Sequence, residues 1–124
     1  MSALALISDL MMQSQVSGAA SRLDLDLAAV SSERALLAKA ADAPPSLVIV
    51  DLSHPGLDPA ALMEQLRPHL AEGARTVAFG PHVHKARLAA ATAAGFDQVV
   101  SRGQFHAEMD SLLQATSGQR PSAE

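Results

Sequence analysis

Two aspartates stand directly behind short apolar runs. Asp9 follows Ala3-Leu4-Ala5-Leu6-Ile7-Ser8, and Asp51 follows Leu47-Val48-Ile49-Val50. Asp51 also opens the run Asp51-Leu52-Ser53-His54-Pro55-Gly56-Leu57-Asp58-Pro59. Short apolar runs bounded by turn residues read as buried strands. In an open parallel sheet, ligands sit outside the carboxyl ends of strands, where strand order reverses. Two carboxylates delivered there suit a hard divalent cation, or phosphoryl chemistry assisted by one.

Other groups point less clearly at chemistry. His54, His82 and His84 fall in loops expected on the same rim. Converging imidazoles would suit Zn²⁺, Cu²⁺ or Ni²⁺; the plainer reading, three exposed histidines, is the one adopted. His69 and His106 read as surface positions on helices. No Ser-His-Asp order is apparent, and Ile7-Ser8-Asp9-Leu10-Met11 carries no glycine, which argues against a nucleotide or flavin loop. The absence of cysteine excludes disulfides, thiol catalysis and zinc–thiolate sites. A hydrolase or dehydrogenase is therefore not expected.

Composition sets the remaining bounds. The 124 residues suit one domain. Apolar residues make up 48% of the chain but aromatics only 2%, so the core is built from Ala, Val, Leu, Ile and Met. Met12, Met63 and Met109 read as core filler. The net charge is −4, and the nine Lys and Arg form no basic run. A nucleic-acid partner needs a clustered basic face and is not expected. No stretch reaches the roughly 18 apolar residues of a membrane span, and the apolar start lacks the basic lead of a secretory signal. The expectation is a cytoplasmic protein, a monomer or weak homodimer.

The elements that must position the two acids follow from the pattern. Strands are predicted at 3–7, at the alternating Leu23, Leu25 and Leu27 leading into Ala28-Ala29-Val30, and at 47–50, 76–79 and 98–100. Helices are predicted at 10–21, 33–41, from Asp58-Pro59 to a break near Pro68, at 85–94 ending on Gly95, and at 104–115. Strict alternation of strands and helices means a parallel sheet with helices on both faces. Runs one and three are apolar on both faces, while run two is half polar and suits a sheet edge. This fits an α/β, flavodoxin-like, three-layer fold, five strands in the order 2-1-3-4-5 with five helices. Its switch point lies between strands one and three, where Asp9 and Asp51 emerge.

At this point the chain resembles the CheY-like receiver domain of bacterial response regulators. The resemblance rests on Asp51-Leu52-Ser53-His54-Pro55-Gly56-Leu57-Asp58, which is similar to the family's phosphoacceptor loop. It rests also on Ala94-Gly95-Phe96-Asp97-Gln98-Val99-Val100-Ser101-Arg102, which is similar to the run through strand five. It implies that Asp51 is the phosphoacceptor. Mg²⁺ would be held by Asp9, Asp51 and the backbone carbonyl of Ser53, and Arg102 would stand for the lysine that contacts the phosphoryl group. The chain departs from the pattern in four further places. The acid pair after strand one reads Ser8-Asp9, so the Mg²⁺ site is weakened. The hydroxyl residue after strand four reads Gly80. The strand-five aromatic reads Val99, and the proline after the lysine reads Gly103.

The resemblance implies a stand-alone receiver-like domain over 1–115 with a flexible tail over 116–124. It would serve two-component phosphorelay signalling, with no enzymatic activity beyond self-phosphorylation and autodephosphorylation at Asp51. The implied donor is a histidine kinase or phosphotransfer protein. The implied output is a protein docked on the face of helix four, strand five and helix five. The alternative is a pseudo-receiver, a phosphorylation-independent protein-interaction module. A third reading is a piece of a larger regulator, with the tail a cut linker.

Overall fold

A computed structural model describes residues 2–114. Along the chain run β1 (Ser2–Leu6), α1 (Leu10–Arg22), β2 (Asp26–Val30), α2 (Glu33–Asp42), β3 (Leu47–Asp51) and α3 (Pro59–Leu66). A 3-10 turn at Arg67–His69 follows. Then come β4 (Arg75–Gly80), α4 (Lys85–Ala94), β5 (Gln98–Ser101), α5 (Arg102–Ala107) and α6 (Met109–Gln114). The sheet is parallel throughout, in the order β2-β1-β3-β4-β5. This is the predicted flavodoxin-like, three-layer architecture.

Alternation along the strands divides the core in two. Ala3, Ala5, Leu47, Ile49, Val77 and Phe79 face Met12, Val16 and Ala19 of α1, Phe105 of α5, and Met109, Leu112 and Leu113 of α6. Leu4, Leu6, Val48, Val50 and Ala78 face Leu36 of α2, Leu62, Met63 and Leu66 of α3, and Ala91 of α4. A strand buried on both faces is apolar along its length, and β3 is buried throughout, apolar from Leu47 to Val50 before it ends on Asp51. Strand β2 lies at the edge, and four of its five positions are only partly buried or exposed.

Local chemistry starts and stops the helices where the sequence supplies caps. Asp9, Ser32, Asp58 and Ser101 sit at the N-caps of α1, α2, α3 and α5, and each side chain accepts a backbone N–H of its first turn. Pro59 occupies the first turn of α3. Gly95 closes α4 at φ +101°, in the left-handed region. Pro68, lacking an N–H, falls in the 3-10 turn after α3 has ended at Leu66.

Three expectations are corrected. The helix expected over 104–115 starts earlier, at Arg102, because Ser101 rather than a later residue caps it. That helix is also broken, so the described residues hold six α-helices instead of five. Glu108 leaves helical geometry at φ −110° and ψ 21°. Phe105, Met109, Leu112 and Leu113 keep one continuous helical period, so the hydrophobic pattern carries no trace of the break. Finally, Leu23 and Leu25 precede the second strand: Asp24 takes φ +57°, and the strand begins only at Asp26. Aspartate tolerates that left-handed turn better than most side chains. The predicted tail 116–124 lies outside the described residues.

Candidate functional site

Parallel pairing brings four strand ends to one rim. Leu6 pairs with Val50, Asp51 with Phe79, and Gly80 with Ser101. The chain therefore emerges from β1, β3, β4 and β5 side by side, carrying Ser8-Asp9, Asp51, Gly80 and Arg102.

Asp51 ends the central strand and is 1% exposed. Its Oδ1 accepts from the Ser53 N–H at 2.9 Å and from the Ser53 hydroxyl at 2.6 Å. The loop after it is tightly turned. The His54 N–H bonds to the Asp51 carbonyl and the Leu57 N–H to the His54 carbonyl, and Gly56 supplies the positive φ, +74°. Leu52 is buried, with its N–H on the Phe79 carbonyl at 2.8 Å.

Asp9 is occupied on both oxygens. Oδ1 accepts from the Met11 N–H at 3.1 Å as the cap of α1, and Oδ2 accepts from Arg102 Nη2 at 2.8 Å. The side chains of Asp9 and Arg102 are 44% and 36% exposed. The Ser8 hydroxyl lies 2.7 Å from His54 Nδ1, joining the β1–α1 loop to the β3–α3 loop. Arg102 and Asp9, with Met11, Met12, Gln15, Gly103 and His106, line a shallow groove of about 360 Å³ between α1 and α5.

Beside Asp51 the rim is closed by hydrocarbon. A Cβ on Gly80 would stand 3.3 Å from Leu52 Cβ and 3.8 Å from Leu88 Cδ2. Arg87, in the first turn of α4, donates from Nη1 to the Leu52 carbonyl at 2.6 Å and ties that helix to the loop after β3. Val99 is partly buried and packs into the core facing α2, α3 and α4. His82 and His84 are exposed. Among the described residues no three His, Asp or Glu side chains gather as a metal ion would need.

The donors assigned to Mg²⁺ from the sequence can be tested against this geometry. Of the two carboxylates, Asp9 already bonds a guanidinium, and Asp51 accepts twice from Ser53. The place of a further acid holds Ser8, which contacts His54. A hard ion is held by ligand charge. As arranged, these donors do not fit a resident divalent ion, which would have to displace Arg102.

Three features of the rim escape sequence reasoning: the Arg102–Asp9 ion pair, the Ser8–His54 contact and the Arg87 anchor. Each joins residues far apart in the chain, and no spacing rule flags them.

No protein-family model matches the chain, and no curated protein matches it by sequence. Solved structures do match in fold. Chemotaxis protein CheY4 of Vibrio cholerae is 15% identical, with a TM-score of 0.78 over 93% of this chain and 97% of that one. The receiver domain of NtrX from Brucella abortus is 17% identical, with a TM-score of 0.77 over 92% and 96%. The receiver domain of a sensor histidine kinase from Pseudomonas aeruginosa PAO1, solved with a magnesium ion coordinated in its active-site cleft, is 15% identical, with a TM-score of 0.76 over 93% and 95%. The class is thus a flavodoxin-like, doubly wound α/β domain of the CheY-like kind. More narrowly, the chain has the fold of response-regulator receiver domains.

Proposed function

We propose that this chain is a receiver-type signalling module that acts by docking other proteins, and that its docking does not depend on phosphorylation of Asp51. The observation that carries this reading is the closure of the rim at Gly80. A phosphoryl group on Asp51 would find no hydroxyl there to hold it. A Cβ at position 80 would already crowd the Leu52 Cβ at 3.3 Å, with Leu52 Cδ1 and Leu88 Cδ2 in van der Waals contact at 3.8 Å. Val99 likewise provides no aromatic ring on β5 to report a change at the rim. The proposed docking face is that of α4, β5 and α5, the partner a protein, and the setting the cytoplasm. The proposed unit is one domain over 1–115, a monomer or weak homodimer.

A second reading keeps Asp51 as phosphoacceptor, fed by a histidine kinase or phosphotransfer protein, with Mg²⁺ displacing Arg102 from Asp9 and the freed Arg102 touching the phosphoryl group. What favours it is the position of Asp51 at the carboxyl end of the central strand, beside the switch point where such folds bind ligands.

Incubation with acetyl phosphate and Mg²⁺, followed by intact mass spectrometry, separates the two. The first reading expects no phosphoryl adduct on the folded protein. One adduct that disappears in Asp51→Asn would overturn it and establish the second.

A further inference from the structure

The charge balance at the rim leads beyond the choice between these readings. Asp9 and Asp51 bring two negative charges, and Arg102 brings one positive charge bonded to Asp9 at 2.8 Å. The three groups together thus carry one net negative charge, which is little for a divalent ion that relies on anionic oxygens. Mg²⁺ also dehydrates reluctantly and keeps several of its waters when bound. A tethered guanidinium is more weakly hydrated and is present whatever the metal concentration.

The position of Arg102 is fixed by the fold. It is the first residue of α5, directly after Ser101, whose backbone pairs with Gly80 and whose side chain caps the same helix. Asp9 is fixed as strongly, because its other oxygen caps α1. The ion pair therefore links two well-anchored helix starts across the rim, where a bound metal would otherwise link loops.

We propose that Arg102 is the resident cation of this site: it occupies Asp9 in place of a divalent metal, keeps the site cation-independent, and masks a metal site that its removal exposes. The proposal rests on reading this rim as the receiver-type site, but its test involves no phosphoryl chemistry.

The chain contains no Trp or Tyr, so NMR serves better than fluorescence. Substoichiometric Mn²⁺ is titrated into ¹⁵N-labelled wild type, Arg102→Ala and Arg102→Gln, and paramagnetic broadening of amide signals is mapped. The same spectra show whether each variant is folded. In wild type, the amides of Ser8, Asp9, Ser53 and His54 are expected to broaden no more than those near exposed acids such as Asp42 and Glu64. In both variants broadening centres on the β1–α1 and β3–α3 loops, with apparent Mn²⁺ affinity there raised roughly tenfold or more, as loss of an adjacent positive charge predicts. Millimolar Mg²⁺ then raises the melting temperature of the variants and leaves that of wild type unchanged. Arg102→Lys, which keeps the charge, stays close to wild type. Selective broadening at the rim of wild type overturns the proposal, as does no gain of binding in the folded variants. Either failure leaves the mass-spectrometric result on phosphorylation, and so the functional reading, untouched.

Discussion

Residue by residue, the rim is decided by what stands next to each carboxylate. Asp51 is buried yet holds two hydrogen bonds from Ser53, which satisfies one of its oxygens within the loop it opens. Asp9 is half exposed and paired with a cation. Its ion pair with Arg102 adds only about 0–1 kcal/mol to stability, as exposed pairs do. Its importance is in occupying a ligand, not in holding the fold. Gly80 is the residue whose replacement is most informative. Thr at this position places a Cβ 3.3 Å from Leu52 Cβ and adds a branch beside Leu52 Cδ1 and Leu88 Cδ2, each 3.8 Å from that Cβ. Gly80→Thr is expected to destabilise the domain by about 1–3 kcal/mol, the usual range for overpacking. Urea unfolding followed by far-ultraviolet circular dichroism measures this. A variant as stable as wild type would show that Leu52 yields freely and that the rim is not closed as described.

At the scale of elements, α4 stands out for how it is held. It contributes only one fully buried residue, Ala91, and its N-cap, His84, makes no side-chain cap bond. Its anchors are at its ends. Arg87 bonds the Leu52 carbonyl near the start, and Arg67 Nη2 donates to the Ala94 carbonyl at the finish. Gly95 follows at φ +101°, with Arg67 Nη2 only 3.0 Å from where a Cβ would be. Gly95→Ala therefore meets both backbone strain and a neighbour that must move, and is expected to cost about 1–2 kcal/mol. Hydrogen exchange of α4 amides should accelerate relative to those of α1, if the loss is felt where the helix is held. Uniform acceleration across both helices would place the effect on the whole domain instead. At the opposite end of the sheet, β4 and β5 are fastened by a reciprocal contact. The Asp97 carboxylate accepts from the Thr76 N–H and hydroxyl, and the Asp97 N–H donates to Thr76 Oγ1.

At the scale of the whole molecule, one sheet separates two apolar layers, and few large side chains fill them. Among the rings, Phe79 of β4 and Phe105 of α5 stack with centroids 4.2 Å apart and planes 11° from parallel. Both are fully buried. In a layer otherwise built from aliphatic side chains and Met, this pair carries the contact between α5 and the sheet. Phe105→Ala is expected to cost about 3–5 kcal/mol, a large share of the stability of a domain this size. Urea unfolding reads the loss as a lower midpoint. A loss below about 1 kcal/mol would mean that α5 is held by its neighbours and not by the ring. No helix among the described residues is long and apolar enough to cross a membrane.

The sequence by itself determined the strand order and the rim at which Asp9 and Asp51 emerge. Burial on both faces forces Leu47-Val48-Ile49-Val50 to be apolar throughout, which marks a central strand. Capping residues and glycine mark helix ends because backbone groups there need partners or a positive φ. Those signals are local or periodic, so they survive in a linear text, and they brought Asp9 and Asp51 to one rim before any coordinates. The break at Glu108 was hidden because a kinked pair of short helices can bury the same periodic face as one long helix. The state of the rim was decided only in three dimensions. Arg102 and Asp9 are 93 residues apart, Ser8 and His54 46, and Arg87 and Leu52 35. Which oxygen an arginine reaches, and whether a glycine has space beside it, depend on how loops from different strands pack against one another. Side-chain reach and excluded volume settle such contacts, and neither leaves a period or a spacing in the sequence.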